Sequence, residues 1–284
     1  MNNIKQLEQL EQELHAEQKF ASEPDMHEIE LNKFADWSDQ EYEALLGFKF
    51  DASKEQKNVA VLDFGDLPAE VNWAEAGKVT PVKNQGSCGS CWSFSATGAI
   101  ESAHMIKGGE QVLLSEQQLV DCSLSYGNNG CGGGLVEYAF NYVKHKPLET
   151  EDEYPYQAKD SKCTQDVHPG DVQLSDFKDV QRFNPEQLAQ ALQLGPVSVG
   201  VNAATFGFKF YKSGVIKRAC NGDSIDHAVL AVGYGTEKGT PYWLVKNSWG
   251  ADWGEKGYFK VLRDMKATDG GMCGILYTPA YPIL

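Results

Sequence analysis

Residues 85–94 read Gln85-Gly86-Ser87-Cys88-Gly89-Ser90-Cys91-Trp92-Ser93-Phe94. A Gly-rich turn gives way here to an apolar run, Trp92 to Ile106, carrying Ala96, Ala99, Ile100 and Ala103. That pattern predicts a buried helix beginning at Cys91. Unpaired backbone N–H groups and the positive end of the helix dipole favour a thiolate at such a position, and the thiolate is the form that attacks carbonyl carbon. What this sulfur lacks locally is a base.

Around this stretch lie 284 residues, 42% hydrophobic and 11% aromatic, which predicts one large globular domain or two modest ones. The net charge of −15 argues against a general polyanion binder. No apolar run approaches the roughly 18–20 residues that span a bilayer, and Met1 to Gln18 carries no signal-peptide h-region. The charge is unevenly spread. Residues 1–66 hold six lysines against sixteen acidic residues and no cysteine, whereas residues 67–284 carry only −5 and all seven cysteines. Ile4, Leu7, Leu10 and Leu14 line one helical face, and a second helix is expected from Ser38, as N-cap, through Tyr42 and Leu46 to Gly47. Phe50 to Ala60 reads as an extended connector with few anchors. Such a segment is either a solvated tail or a docked accessory, and its regular apolar face favours docking.

An odd cysteine count in a Trp- and Gly-rich chain points to three bridges, one spare thiol and an oxidising compartment. Structural zinc would need a second compact pair beside Cys88 and Cys91, and Cys122 and Cys131 are nine residues apart. A thioredoxin-type pair would follow a first strand in a βαβ unit, which Thr80 to Gly86 fits poorly.

Among the six histidines, His15 and His27 lie in the acidic segment, His145 and His168 in expected polar loops, and His104 in the Trp92 helix. His227 differs, since it opens the apolar run Ala228–Tyr234. Asn247 follows the strand Tyr242–Lys246 twenty residues later. Further strands are expected at Val197–Val201 and Tyr258–Leu262, and helices at Val136–Lys144 and after Asn184-Pro185. Ser115 to Gln118 fits a capping box. A helical half followed by a β-rich half predicts an α+β protein of two subdomains with a cleft between them.

With Cys88-Gly89-Ser90-Cys91-Trp92, His227 136 residues beyond Cys91 and Asn247 beyond that, residues 67–284 resemble a papain-like cysteine protease in the style of a cathepsin L proenzyme. Leu114-Ser115-Glu116-Gln117-Gln118-Leu119-Val120-Asp121-Cys122 and Gly254-Glu255-Lys256-Gly257-Tyr258 add to the likeness. The resemblance implies the papain-like fold, a helical subdomain (about 77–178) and a β-barrel-like one (about 179–274). It implies Cys91 as nucleophile, paired with His227 as thiolate and imidazolium, Asn247 orienting the imidazole, and Gln85 in the oxyanion hole. It also implies the pairing Cys88–Cys131, Cys122–Cys163 and Cys220–Cys273.

By the same likeness, Leu135, Val136, Ala203, Ile225, Ala228 and Thr278 form the pocket for the residue two before the scissile bond, which should take Leu, Phe or Val. Gly133 and Gly134 would let substrate backbone approach closely, with Asp226 and Trp249 beside the site. Residues 1–66 resemble the end of an inhibitory propeptide. Asn32-Lys33-Phe34-Ala35-Asp36 fits its signature with Glu30 in place of Gly, while Asn3, Leu7 and Glu11 match only half of the longer helical one. The match implies a chain that begins within a longer precursor, an intramolecular inhibitor released by acid as carboxylates such as Asp36 and Glu30 protonate, and a cut near Asp66–Leu67. It implies a monomer in a lysosome-like vesicle or secreted, acting on proteins and peptides, with no metal or other cofactor, no nucleic-acid partner and no membrane span. The competing readings are an inactive homologue serving as a binding or storage protein, and a segment that acts as a free inhibitor.

Overall fold

The acidic segment packs onto the rest of the chain. In the computed structural model, which describes residues 9–16, 27–51, 53, 55–164, 170–218, 220, 222 and 224–284, residues 9–16 form helix α1, and its Leu10 and Leu14 lie against the core. The expected positions Asn3, Ile4 and Leu7, like His168, fall outside the described residues. Strand β1 (Glu28–Ile29) pairs antiparallel with β6 (Tyr211–Ser213). Helix α2 (Asp39–Glu43) starts on a capping box in which Ser38 and Glu41 bond reciprocally. It stops at Glu43, short of the expected Gly47. The chain must turn there, because the Leu45 carbonyl goes to the Gln85 side chain.

The connector is better anchored than its composition predicts. Strand β2 (Val59–Ala60) runs parallel to β4 (Asp176–Val180). Gln56 donates to Val180 O and accepts from the Arg182 amide, and Asn58 Nδ2 donates to Phe177 O. Polar side chains bonding to backbone do the holding, and hydrophobic patterning is blind to them.

Beyond β3 (Val71–Asn72) the helical half forms around α3 (Cys91–Ile106), whose residues are buried except on the Ala103–His104 and Ile106 edge. Helices α4 (Glu116–Cys122) and α5 (Val136–His145) complete it. His145, expected in a loop, ends α5 and donates through Nδ1 to Asn141 O. At Ser115 only half of the capping box forms. Its hydroxyl accepts from the Gln118 amide, but the Gln118 side chain turns to the Glu149 amide, Tyr142 and Pro147.

The β-rich half follows α6 (Pro185–Leu192), capped by Asn184. It comprises β5 (Val197–Val201), α7 (Phe206–Lys209), β6, β7 (Val215–Ile216), β8 (His227–Glu237), β9 (Thr240–Lys246), β10 (Tyr258–Leu262) and β11 (Ala280–Ile283). The main sheet runs β2-β4-β11-β5-β8-β9-β10-β7 as an open path, with β3 on β8. Disulfides join Cys88 to Cys131, Cys122 to Cys163 and Cys220 to Cys273. The two halves meet where α3 packs against β8. Gly98 lets them close, since a β-carbon there would sit 3.1 Å from Leu230 Cδ2. Ser95 Oγ donates to Val229 O at 2.7 Å, and Ser198 Oγ donates back to Ser95 O.

Candidate active site

This seam sets Cys91 on one wall and His227 and Asn247 on the other. Cys91 is the first residue of α3 and the free cysteine among the described residues. Its sulfur accepts from the Ala228 amide at 3.4 Å, the residue after His227. Antiparallel pairing of β8 with β9 matches Leu230 to Lys246, so the residues just outside the ladder, His227 and Asn247 to Trp249, come together. His227 Nε2 lies 2.8 Å from Asn247 Oδ1, which also accepts from the Ser248 amide. Trp249 stacks on the imidazole with centroids 4.6 Å apart, keeping water from that bond. His227 Nδ1 is buried without a hydrogen-bond partner, so the ring has one nitrogen free for chemistry.

Gln85 is fully buried beside them. Ser248 Oγ donates to its Oε1, and its Nε2 donates to Cys88 O and to Leu45 O, each at 2.9 Å. Leu45 belongs to the acidic segment. A carbonyl from that segment therefore occupies a donor that could stabilise an oxyanion. Two residues on, Gly47 O accepts from the Gly134 amide at 2.8 Å, Lys49 N donates to Gly134 O, and Phe48 N donates to Asp226 O. The bridge between Phe48 and Gly134 is parallel.

The Phe48 ring is 3% exposed and packs in one cluster with Leu135, Val136, Ile225 and Ala228. A β-carbon on Gly200 would meet Ile225 Cγ2, Thr278 Oγ1 and Phe48 Cε1, all within 2.8 Å, so Gly200 leaves room at the pocket floor. Ala203 lies on the Tyr42 side, its carbonyl accepting the Tyr42 hydroxyl at 2.8 Å. Gly133 is needed for space, since a β-carbon there would sit 2.4 Å from Gly47 O. Sequence reading missed Leu45, Gly47, Phe48 and Gly200. Gly200 had a signal, an isolated glycine within the apolar run Val197–Val201.

Burial sets the electrostatics of the cleft. Burial pushes the Cys91 thiol up to about 11, although the Ala228, Gly47 and Trp92 amides favour the thiolate. Burial likewise lowers His227 to about 4, against the raising effect of Asn247. These shifts are opposite to those of a thiolate–imidazolium pair. With water excluded, the neutral forms win.

Comparison with known proteins agrees with this architecture. A family model described as papain family cysteine protease matches residues 67–283. The chain is 44% identical over 268 residues to digestive cysteine proteinase 3 of Homarus americanus, covering 93% of this chain and 82% of the relative. It is 42% identical over 283 residues to cathepsin L1 of Drosophila melanogaster, covering 94% and 75%. Among solved structures, digestive procathepsin L 3 of Tenebrio molitor superposes with a TM-score of 0.86 at 36% identity, covering 98% of this chain and 90% of that one. A recombinant stem bromelain precursor superposes at 0.88 and 34% identity, covering 100% and 92%.

Proposed function

The chain belongs to the papain family of cysteine proteases, and we propose that it is the precursor of an endopeptidase, residues 67–284, sealed by its own residues 1–66. The observation that carries this reading is the path of residues 45–49, which covers the Gln85 amide with a carbonyl, presses Gly47 over the start of α3 and fills the apolar pocket with Phe48.

In the opened enzyme, returning water lets Cys91 and His227 exchange a proton into a thiolate–imidazolium pair. The thiolate attacks the scissile carbonyl carbon, and the developing oxyanion takes hydrogen bonds from Gln85 Nε2 and the Cys91 amide. His227 protonates the leaving amine, and water then hydrolyses the thioester. Asn247, being neutral, orients the imidazole without over-stabilising its cation. The side chain two before the scissile bond enters the pocket of Leu135, Val136, Ile225, Ala228 and Thr278, with Ala203 and Asp226 on its far side. A pocket that holds Phe48 favours Phe, Leu or Val, and a peptide library in which Arg outcompetes Leu would sink that preference. The two halves at about 77–178 and 179–274 supply the walls.

Acid opens the precursor. Lys33 of the segment bonds to Trp249 O and pairs with Asp252 at 2.8 Å, which holds the Asp252 carboxyl below its usual value. Glu30 pairs with Lys212, whereas Asp36 is exposed. The Lys33 link is present above the ordinary carboxylate pKa and lost as pH falls through the lowered one. Acid activation and three disulfides suit a lysosome-like vesicle or secretion, and the reading is of a monomer acting on proteins and peptides. No described helix is long and apolar enough to cross a membrane. An epoxide that alkylates catalytic thiols tests the whole reading. Stoichiometric labelling of Cys91 after removal of residues 1–66, and none before, is expected. A processed chain that resists labelling would be an inactive homologue.

A further inference from the structure

The acidic segment lays a lysine as well as an aromatic ring on the enzyme. Resting on the endopeptidase reading proposed above, we infer that Asp252 and the Trp249 carbonyl form a subsite for a basic side chain, Lys or Arg, among the first three residues after the scissile bond. Lys33 fills that subsite in the precursor, as Phe48 fills the apolar pocket.

The side of the cleft follows from the order of contacts along the segment. Phe48 enters the pocket proposed for the side chain two before the bond, Gly47 lies over Gly89, and Leu45 O meets Gln85. Toward its N-terminus the chain moves away from that pocket and crosses Trp249, on whose ring Tyr42 and Phe34 stand edge-on, with centroids 5.7 and 5.3 Å away. The same indole stacks on the His227 imidazole, the group that hands its proton to the leaving amine. Residues after the scissile bond must therefore pass over Trp249. Lys33 lies on this stretch, and its ammonium bonds to Trp249 O and to Asp252 Oδ1, the latter at 2.8 Å.

The enzyme holds both acceptors in place without help from the segment. Trp249 bridges Asn84, and the Gly250 amide donates to Lys83 O at 3.0 Å, which fixes the Trp249 carbonyl. Gly250 turns the chain at φ +80°, and a β-carbon there would lie 2.7 Å from Asp252 Oδ1 and 3.2 Å from Lys33 Nζ, so glycine keeps open the space an ammonium needs. On the other side of Asp252, Trp253 is fully buried with its indole N–H on Lys209 O. The Asp252 side chain is 67% exposed, and no other cation pairs with it among the described residues. Lys33 holds the Asp252 carboxyl below its usual value. When the segment leaves, a carboxylate and a fixed carbonyl lose the cation between them. A substrate ammonium or guanidinium takes its place through the same charge-assisted hydrogen bonds. Because the carboxylate faces solvent, the gain is modest and screened by salt.

The test uses enzyme freed of residues 1–66 and peptides that share Phe two before the scissile bond and carry Lys, Ala or Glu at each of the three positions after it. At low salt and neutral pH, kcat/KM for Lys should exceed that for Ala by about two- to fivefold at one of these positions, with Glu below Ala. Asp252→Asn should bring the ratio of Lys to Ala close to one, and Asp252→Lys should invert the order, with Glu above Ala and Ala above Lys. Ratios between peptides on one variant cancel any difference in folded or active fraction. Equal rates for Lys, Ala and Glu at all three positions overturn the subsite and leave Asp252 as a clasp for Lys33 alone. A Lys preference that survives both substitutions overturns the role of Asp252. In either case the peptides are cut and the endopeptidase reading stands. An enzyme that cuts none of them sinks that reading and the inference with it.

Discussion

At Gly47 the backbone of the segment passes close against that of the enzyme. A β-carbon there would lie 1.8 Å from Gly89 O and 2.4 Å from Gly89 C, backbone that cannot move without shifting the turn into α3. Gly47→Ala should therefore loosen the seal, by about 1–3 kcal/mol on the usual cost of overpacking. The expected readout is a full-length variant that processes itself at a pH where the wild type stays latent. Unchanged latency would mean that this contact does not set inhibition. His27 illustrates a different control. It is buried against the Tyr211 ring of β6 and the Gly214 turn, and neither ring nitrogen makes a well-formed hydrogen bond. Burial holds its pKa below the ordinary value, with the Gly207 backbone offsetting only part of that. The charged groups around it are already engaged, Glu255 with the Tyr211 hydroxyl, Glu30 with Lys212 and Glu28 with Ser213. A depressed histidine contributes docking stability that is full above its free pKa and falls as pH drops below about 6.5. His27→Phe keeps the ring and removes the titration, so its pH profile of processing should shift to lower pH. A profile identical to wild type would remove His27 from the acid response.

At the scale of elements, a buried ionic cluster ties the halves together behind the site. Lys83 pairs with Glu101 of α3 at 2.7 Å and with Glu116 of α4 at 2.6 Å. Thr80 donates to Glu101 and accepts from Lys246 of β9, the residue before Asn247. Burial drives Glu116 up to about 7 and Lys246 down to about 8, while the two carboxylates hold Lys83 well above its usual value. Lys83→Met would leave two buried carboxylates without their shared cation, which costs about 3–5 kcal/mol. Thermal unfolding should show that loss, and a variant as stable as wild type would mean that the cluster neutralises itself by proton uptake. The sequence made the strands of this region legible because Val197–Val201 and Tyr258–Leu262 are short β-branched or aromatic runs between turns. Strands β4 and β11 escaped notice. Asp176-Phe177-Lys178-Asp179-Val180 is mostly charged, and Ala280-Tyr281-Pro282-Ile283 contains a proline, yet both gain order by pairing with each other and with partners far along the chain. The candidate site was legible for another reason, since Cys91 and His227 open α3 and β8 and Asn247 follows directly on β9. What occupies the cleft was not, because Leu45 and Gly47 act through backbone groups that carry no residue code.

For the whole molecule, the seal proposed for residues 1–66 would act as a desolvating lid as well as an obstacle. Burial in the intact chain pushes the Cys91 thiol up to about 11 and the His227 imidazole down to about 4, which favours thiol and neutral imidazole over the charged pair proposed for the opened enzyme. At pH 6 a thiol of that pKa is ionised in only on the order of one molecule in a hundred thousand. On that proposal, removal of residues 1–66 should return water to both groups and free Gln85 Nε2, so that the thiol falls and the imidazole rises, each then stabilising the other's charge. Alkylation of Cys91 by iodoacetamide, followed against pH, measures this directly. The precursor should react only as pH approaches 10 and above, along the limb of an isolated buried thiol. The processed enzyme should react rapidly on a plateau reaching down to pH 5, bounded below by protonation of the thiolate and above by loss of the imidazolium proton. If the two profiles differed in amplitude but kept the same apparent pKa values, the segment would be blocking access alone, and the pair would owe nothing to its removal from water.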